Sequence, residues 1–226
     1  MDNYKSQIGQ DKYISDNIFN NKKNGFFIEL GATDGISLSN TYFFEKELGW
    51  GGICIEPNPK YKDDLIKNRD CHKSFSPVYS VGGKEVEFEL INQGEYSGIK
   101  NHLNHVPINN QSSLNIEKTI IMKTETLTAI LDKYNAPKYI DYLSLDTEGS
   151  ELEILKGLDF NKYIIGYISV EHNYGQPNRS HIHEFLINNG YIYSRWNRFD
   201  DEYMHITLGN KFAWSNSTTD MNVIIA

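Results

Sequence analysis

Two groups of acidic residues carry the chemistry that can be read from this chain. The first begins at Glu29 and runs through the turn Gly31-Ala32-Thr33-Asp34-Gly35, with Glu56 closing the next apolar run. The second lies further on, where Asp146 and Glu148 follow the run Tyr142–Leu145 and Glu171-His172 follow the run 164–170. A glycine turn after a strand lets the backbone come close to a ligand, because no Cβ stands in the way. A carboxylate at the tip of the following strand can accept hydrogen bonds from both hydroxyls of a ribose. These are the parts of a nucleoside site.

The turn also says which nucleoside. Dinucleotides need phosphate room, supplied by G-x-G-x-x-G at a helix N-terminus. Here the pattern is E-x-G-x-x-x-G with Thr33 and Asp34 inside it. An acidic turn repels pyrophosphate and suits a cation. S-adenosylmethionine carries a sulfonium, an ammonium and a ribose, and no phosphate, so it is the expected cofactor. An NAD(P)-dependent oxidoreductase is the enzymatic alternative, and a non-catalytic S-adenosylmethionine-binding module is the alternative from another class.

In the second group, neighbouring parallel strands bring their carboxyl ends together at the ligand crevice. Asp146, Glu148, Glu171 and His172 are therefore expected beside the transferred methyl. Two roles are open. Asp146, Glu171 and His172 can hold a divalent cation, most simply Mg2+, with oxygen-rich ligands. Alternatively Glu148 or His172 is a general base that takes a hydroxyl proton, with Asp146 holding the methionine amine.

The elements that must position these residues alternate. Apolar runs are expected as strands at 26–30, 52–55, 73–79, 142–145 and 164–170, separated by helices at about 40–48, 60–68, 124–134, 150–156 and 181–189. A helix is also expected over residues 4–24, and Ser150-Glu151-Leu152-Glu153 matches a capping box. The segment 84–90 alternates charged and apolar side chains and reads as a half-exposed antiparallel strand. Tyr191–Trp196 and Tyr203–Thr207 read as a terminal hairpin. Alternating strands and helices imply an α/β fold with a mostly parallel sheet. The hairpin must be antiparallel, because its connection is too short for a crossover. The sum is a Rossmann-like, seven-stranded class I methyltransferase sheet. Residues 92–123 break the rhythm, with Gly94, Gly98, His102 and His105, and read as an insertion or lid on the acceptor side of one domain spanning 1–226.

Composition narrows the classes. The 226 residues carry a net charge of −8, with Lys and Arg scattered, so no nucleic-acid partner is expected. Cys54 and Cys71 make no disulfide framework. No run reaches the length of a membrane span, and the first residues lack a signal-peptide pattern, so a cytoplasmic location is expected.

Several segments together resemble the FkbM-type S-adenosylmethionine-dependent methyltransferases. They are SQIGQD (6–11), NGFFIELGATDG (24–35), LSNTYFFEKELGWGGICIEPNP (38–59), VYS (78–80) and YLSLDTEGSELEIL (142–155). The resemblance implies O-methylation of a hydroxyl, most often on a sugar of a glycan or glycolipid or on a natural-product scaffold. It also implies that Glu29, Gly31, Ala32, Thr33, Asp34 and Gly35 line the methionine and ribose. By the same resemblance Asn40 and Thr41 touch the methionine end, Glu56 with Pro57 binds the ribose, and Ser76, Pro77 and Val78 flank the adenine. Asp146 and Glu171 fall at the topological points where enzymes similar to catechol and macrocin O-methyltransferases carry acidic metal ligands.

Overall fold

The computed structural model describes residues 3–103 and 114–208. The apolar runs form strands because their β-branched and aromatic residues are buried on both faces, as a covered parallel sheet requires. The strands are β1 (Phe26–Leu30), β2 (Gly51–Ile55), β3 (His72–Ser74), β4 (Glu85–Ile91), β5 (Gly98–Ile99), β6 (Ile116–Lys123), β7 (Tyr139–Leu145), β8 (Ile164–Glu171), β9 (Tyr191–Asn197) and β10 (Asp200–His205). The helices are α1 (Gln10–Tyr13), α2 (Tyr42–Leu48), α3 (Lys62–Asn68), α4 (Leu127–Lys133), α5 (Glu151–Lys156) and α6 (Asn178–Asn188), with a π-helical turn at Ile14–Ile18 after α1.

Seven strands make one sheet in the order β3-β2-β1-β7-β8-β10-β9. β10 runs antiparallel to both β8 and β9. The remaining neighbours are parallel. This is the class I methyltransferase sheet. Its last strand slots between β8 and β9, so the hairpin is built into the sheet rather than added at its edge.

Alternate residues of the central strands feed two cores. Ile28, Leu30, Leu143, Leu145 and Ile168 face α4, α5 and α6 through Leu131, Ile154 and Leu186. Phe27, Cys54, Tyr142 and Tyr167 face the π-helical turn, α2 and α3 through Ile14, Phe44 and Leu65. All these side chains are almost fully buried. Reversal of strand order on either side of β1 and β7 opens the crevice at their carboxyl ends.

Three expectations need correction. The long N-terminal helix is only a short turn, Gln10–Ile18. The Asp11 carboxylate accepts the backbone N–H groups of Lys5 and Ser6 at 2.6 and 3.0 Å, which pulls the preceding chain into a loop. The capping box at Ser150 does not form: its hydroxyl bonds Thr147, and Glu153 bonds Ser80. Finally, the segment 92–123 is not one lid. Residues 116–123 are β6, which pairs with β4, and β5 completes a second, three-stranded sheet. That strand escaped notice because it is exposed along most of its length, so it lacks a buried alternation. Residues 104–113, including His105, lie outside the described residues. His102 lies against Tyr79, 3.3 Å from its hydroxyl. No helix among the described residues is long and apolar enough to cross a membrane.

Candidate active site

The crevice has two connected parts. One is a narrow apolar slot walled by Leu30, Ile55, Pro57, Pro77, Val78 and Ile154, and roofed by Phe88 and Ile99 of the small sheet. Its free volume is about 40 Å³. The other is a polar chamber of about 640 Å³. Gly31, Glu95, Asp146 and Glu148 border both parts.

Glu56 stands in the slot at the end of β2 and is buried. Its two oxygens accept the N–H groups of Thr33 and Asn58 at 2.9 and 2.7 Å. Burial outweighs these bonds and, with the nearby Asp146 charge, pushes its pKa up to about 7. Each oxygen keeps a second lone pair, so the carboxylate is rigidly aimed and still able to accept. Removing it is a direct test of ribose binding. Glu56→Ala is expected to fold and to weaken S-adenosylmethionine binding by about 1.5 to 3 kcal/mol, the scale of hydrogen bonds to a charged group. Unchanged affinity in titration calorimetry would take Glu56 out of the site.

The turn after β1 is glycine-dependent at both ends. Gly31 has φ +78°, and a Cβ there would lie 2.0 Å from the Asp146 carbonyl oxygen. Gly35 has φ +83°, and a Cβ there would lie 2.6 Å from Arg69 Cγ. Gly31 and Ala32 donate to the Ile55 carbonyl, which ties the turn to β2. Thr33, with φ +45°, borders the chamber. Asp34 does not line either part. Its carboxylate accepts Ile36 N–H, Ser37 N–H and the Ser37 hydroxyl within its own loop.

Glu29 lines the chamber but is also fully engaged behind it. It accepts from the Ser39 and Thr41 hydroxyls, from Asn40 N–H at 2.7 Å and from Arg69 Nη1 at 3.0 Å. Thr41 is completely buried in this network and does not reach the chamber. Asn40 does, with its Nδ2 on Ser144 Oγ at 2.8 Å. Its Oδ1 is buried with no partner. Pro77 and Val78 wall the slot through a bridge to Glu125, whereas Ser76 stands outside it.

Asp146, Glu148 and Glu171 converge, with one carboxylate oxygen of each lying within 4.8 Å of the others. The β7–β8 register aligns their strand ends. Glu148 adopts φ +57°, and the loop carrying it is held by Glu151, whose Oε1 accepts Thr147 N–H and Gly149 N–H at 3.0 and 2.9 Å. Burial and the Asp146 charge push Glu148 up to about 9. Burial and the neighbouring Asp146 and Glu148 charges push Glu171 up as well, and burial raises Asp146.

His172 is not brought to this group. It follows Glu171, and successive strand residues face opposite ways. Its ring is buried, with Nδ1 accepting Tyr174 N–H at 2.9 Å and Nε2 3.7 Å from Asp201. Burial lowers its pKa. Neither the metal-ligand role nor the general-base role expected of His172 fits this position, and Glu148 stands where His172 was expected.

The sequence reading missed Gln10, Tyr96, Ser144, Tyr174 and Phe199, all of which line the chamber. Gln10 is anchored by its Nε2 to Asp200 at 2.8 Å. Gln10 and Ser144 leave a trace, inside the SQIGQD and YLSLDTEGSELEIL segments. The others are single residues in loops or strands, and only the fold brings them in.

Residues 29–193 match the methyltransferase FkbM domain. The chain belongs to the FkbM methyltransferase family. It is thus an S-adenosylmethionine-dependent methyltransferase by family and fold. No curated protein matches the sequence significantly. Among solved structures, precorrin-6y C5,15-methyltransferase from Geobacter metallireducens GS-15 is similar at 10% identity and TM-score 0.44, over 81% of each chain. A putative rRNA-methylase from Clostridium thermocellum is similar at 12% identity and TM-score 0.43, over 88% of this chain and 96% of its own. A SAM-dependent methyltransferase from Aquifex aeolicus gives 10% identity and TM-score 0.37, over 81% and 82%.

The residues present fit this cofactor. The chamber presents five carboxylates, Glu29, Glu95, Asp146, Glu148 and Glu171, and no Lys, Arg or His among its described lining residues. Such a lining attracts a sulfonium and an ammonium and repels a phosphate. The partnerless Asn40 Oδ1 offers an acceptor at the same place.

Proposed function

We propose that this FkbM-family methyltransferase moves the methyl of S-adenosylmethionine to a hydroxyl, most often one on a sugar of a glycan or glycolipid. The observation that carries the reading is the convergence of Asp146, Glu148 and Glu171 beside the glycine turn, in a chamber lined by carboxylates and amides. Adenine belongs in the apolar slot, ribose at Glu56 and the methionine end near Asn40. The slot is narrow, and Phe88 and Ile99 lie over the place assigned to the base. The sulfonium then lies at the mouth of the carboxylate group, where an acceptor arrives from solvent.

Transfer is an in-line displacement at the methyl carbon. A C–O bond forms as the C–S bond breaks, and the sulfur leaves as a neutral thioether. The acceptor proton passes to a carboxylate, for which Glu148 is the best-placed group. Alignment of oxygen, methyl and sulfur supplies most of the remaining rate. The aromatic rings of Tyr96, Tyr174 and Phe199 stand at this side of the chamber and suit the C–H face of a pyranose, while the amides and carboxylates suit its hydroxyls. The acidic turn and the missing G-x-G-x-x-G disfavour NAD(P) chemistry, and three carboxylates at the reaction centre disfavour a purely binding module.

The reading is tested by mass spectrometry of cell glycans with and without the protein. A glycan lighter by one methyl group in its absence is the expected result. An unchanged glycan profile, with methyl transfer to another class of acceptor by the purified protein, overturns the sugar assignment.

A divalent cation is a second element of the proposal. Asp146, Glu148 and Glu171 are the residues that would hold it, with His172 excluded by its orientation. Such an ion would lower the pKa of a bound hydroxyl. Activity is expected to fall after exhaustive chelation and to return with Mg2+ or Mn2+. Full activity in excess EDTA would remove the ion and leave the carboxylate base alone.

A further inference from the structure

We infer that Gln7, in the N-terminal SQIGQD segment, receives the carboxylate of the cofactor's methionine moiety; this rests on the cofactor reading above. That moiety is a zwitterion. Its ammonium has many partners in an acidic chamber, and its carboxylate has a problem. Five carboxylates line the chamber, and its described lining holds no cationic side chain. Neutral donors must therefore take the carboxylate.

Most of the donors nearby are already used. In the turn after β1, Gly31 and Ala32 donate to Ile55, and Gly35 donates to Ala32. Thr33 N–H goes to Glu56, Ile36 and Ser37 N–H go to Asp34, and Asn40 N–H goes to Glu29. The side-chain amides are committed too: Asn40 to Ser144, Asn173 to Glu171 and Gln10 to Asp200. Tyr96 stands in the field of Glu148, Glu95, Glu171 and Asp146, where an anion is repelled. Tyr174 packs its ring against His172, next to Glu171 in sequence.

Gln7 is different. It lines the chamber, and its amide has no partner among the described residues. The backbone around it is nevertheless fixed. Asp11 accepts Lys5 and Ser6 N–H, and Ser6 bridges Leu38, so the segment is fastened to the loop between the glycine turn and α2. That bridge joins the residue before Gln7 to the residue two before Asn40, both Gln7 and Asn40 line the chamber, and Asn40 Oδ1 is free to accept. The two amides offer a donor for the carboxylate and an acceptor for the ammonium. A neutral donor is also what an acidic chamber tolerates, since a lysine there would pair with Glu29 or Asp146 and displace the ligand's ammonium.

The test compares two ligands that differ only at this end. S-adenosylhomocysteine carries the amino-acid group and 5′-methylthioadenosine lacks it. Both are titrated by calorimetry into the full chain, its Gln7→Ala variant and its Gln7→Glu variant. Gln7 is exposed, so both variants are expected to fold, which thermal unfolding verifies. Gln7→Ala is expected to weaken S-adenosylhomocysteine by about tenfold, the lower end for a hydrogen bond to a charged group, and to leave 5′-methylthioadenosine unchanged. Gln7→Glu should weaken the first further and again spare the second. Equal weakening of both ligands, or of neither, overturns the assignment. If the unaltered protein binds neither ligand, the cofactor reading itself fails.

Discussion

Glu148→Gln is expected to lower turnover by about 10²- to 10⁴-fold, the usual contribution of a positioned general base, while S-adenosylhomocysteine affinity stays within about threefold. The same change should stabilise the fold at neutral pH. Burial, followed by repulsion from Asp146, lifts the Glu148 carboxyl from 4.5 to about 9. A group whose pKa is raised by folding contributes its full stability below its unfolded value, and loses it as pH climbs to the folded value. The gap in melting temperature between variant and parent should therefore be small near pH 4.5 and widen steadily toward pH 9. The rate should show the opposite preference. A base works only when ionised, so kcat/KM of the parent rises with pH through neutrality, and the cationic cofactor moves that rise to lower pH by favouring the carboxylate. Loss of turnover together with a gain in stability marks a strained functional group. A Glu148→Gln variant that turns over normally would move the base role to Glu171 or Asp146, for which Glu171→Gln is the next comparison.

Much of this arrangement is legible in the sequence because parallel α/β folds write their sites in order along the chain. Of the acids expected at strand ends, Glu56, Asp146 and Glu171 end or immediately follow a strand of the central sheet, and Glu29 is the last residue but one of β1. What was not legible depends on side-chain direction and distant pairing. His172 follows Glu171 in sequence, and pleating turns it toward Asp201 on the other side. Glu148 does join the group as expected, but the positive φ that it adopts there is not readable from its sequence. Asp34 looked like a ligand and instead holds its own loop. β6 leaves little mark in the sequence because it is an edge strand with only Ile120 and Met122 half-buried. Arg69 gave no signal at all: it is a lone cation just after α3, 40 residues from Glu29 in sequence, and no periodicity links such pairs.

Arg69 is also where the largest loss of stability is expected. Its side chain is fully buried, and its donors go to five groups in the stretch that shapes the cofactor turn. Nε bonds Glu45 at 2.6 Å. Nη1 bonds Glu29 at 3.0 Å, with Gly35 O and Ser39 Oγ at 3.2 Å, and Nη2 bonds Thr41 at 2.8 Å. Gly35 is a glycine partly because this side chain passes so close beneath it. Removing one member of a buried charge network leaves the others uncompensated, which costs about 3 to 5 kcal/mol. Arg69→Ala strands Glu29 and Glu45 at once, so its unfolding free energy in urea titration should fall by that amount and its folded fraction should bind S-adenosylhomocysteine less well. Arg69→Lys should recover little, because one ammonium cannot reproduce a planar fork directed at several partners. The decisive comparison is the triple variant Arg69→Ala with Glu29→Gln and Glu45→Gln. If stranded charge is the cause, neutralising both acids should restore part of the lost stability, a coupling that independent sites would not show. It should not restore cofactor binding, because the amide of a glutamine at position 29 cannot accept from Ser39, Asn40 and Thr41 together as the carboxylate does. A triple variant no more stable than Arg69→Ala would mean that the loss comes from packing around the guanidinium, and that the turn is held by volume rather than by charge.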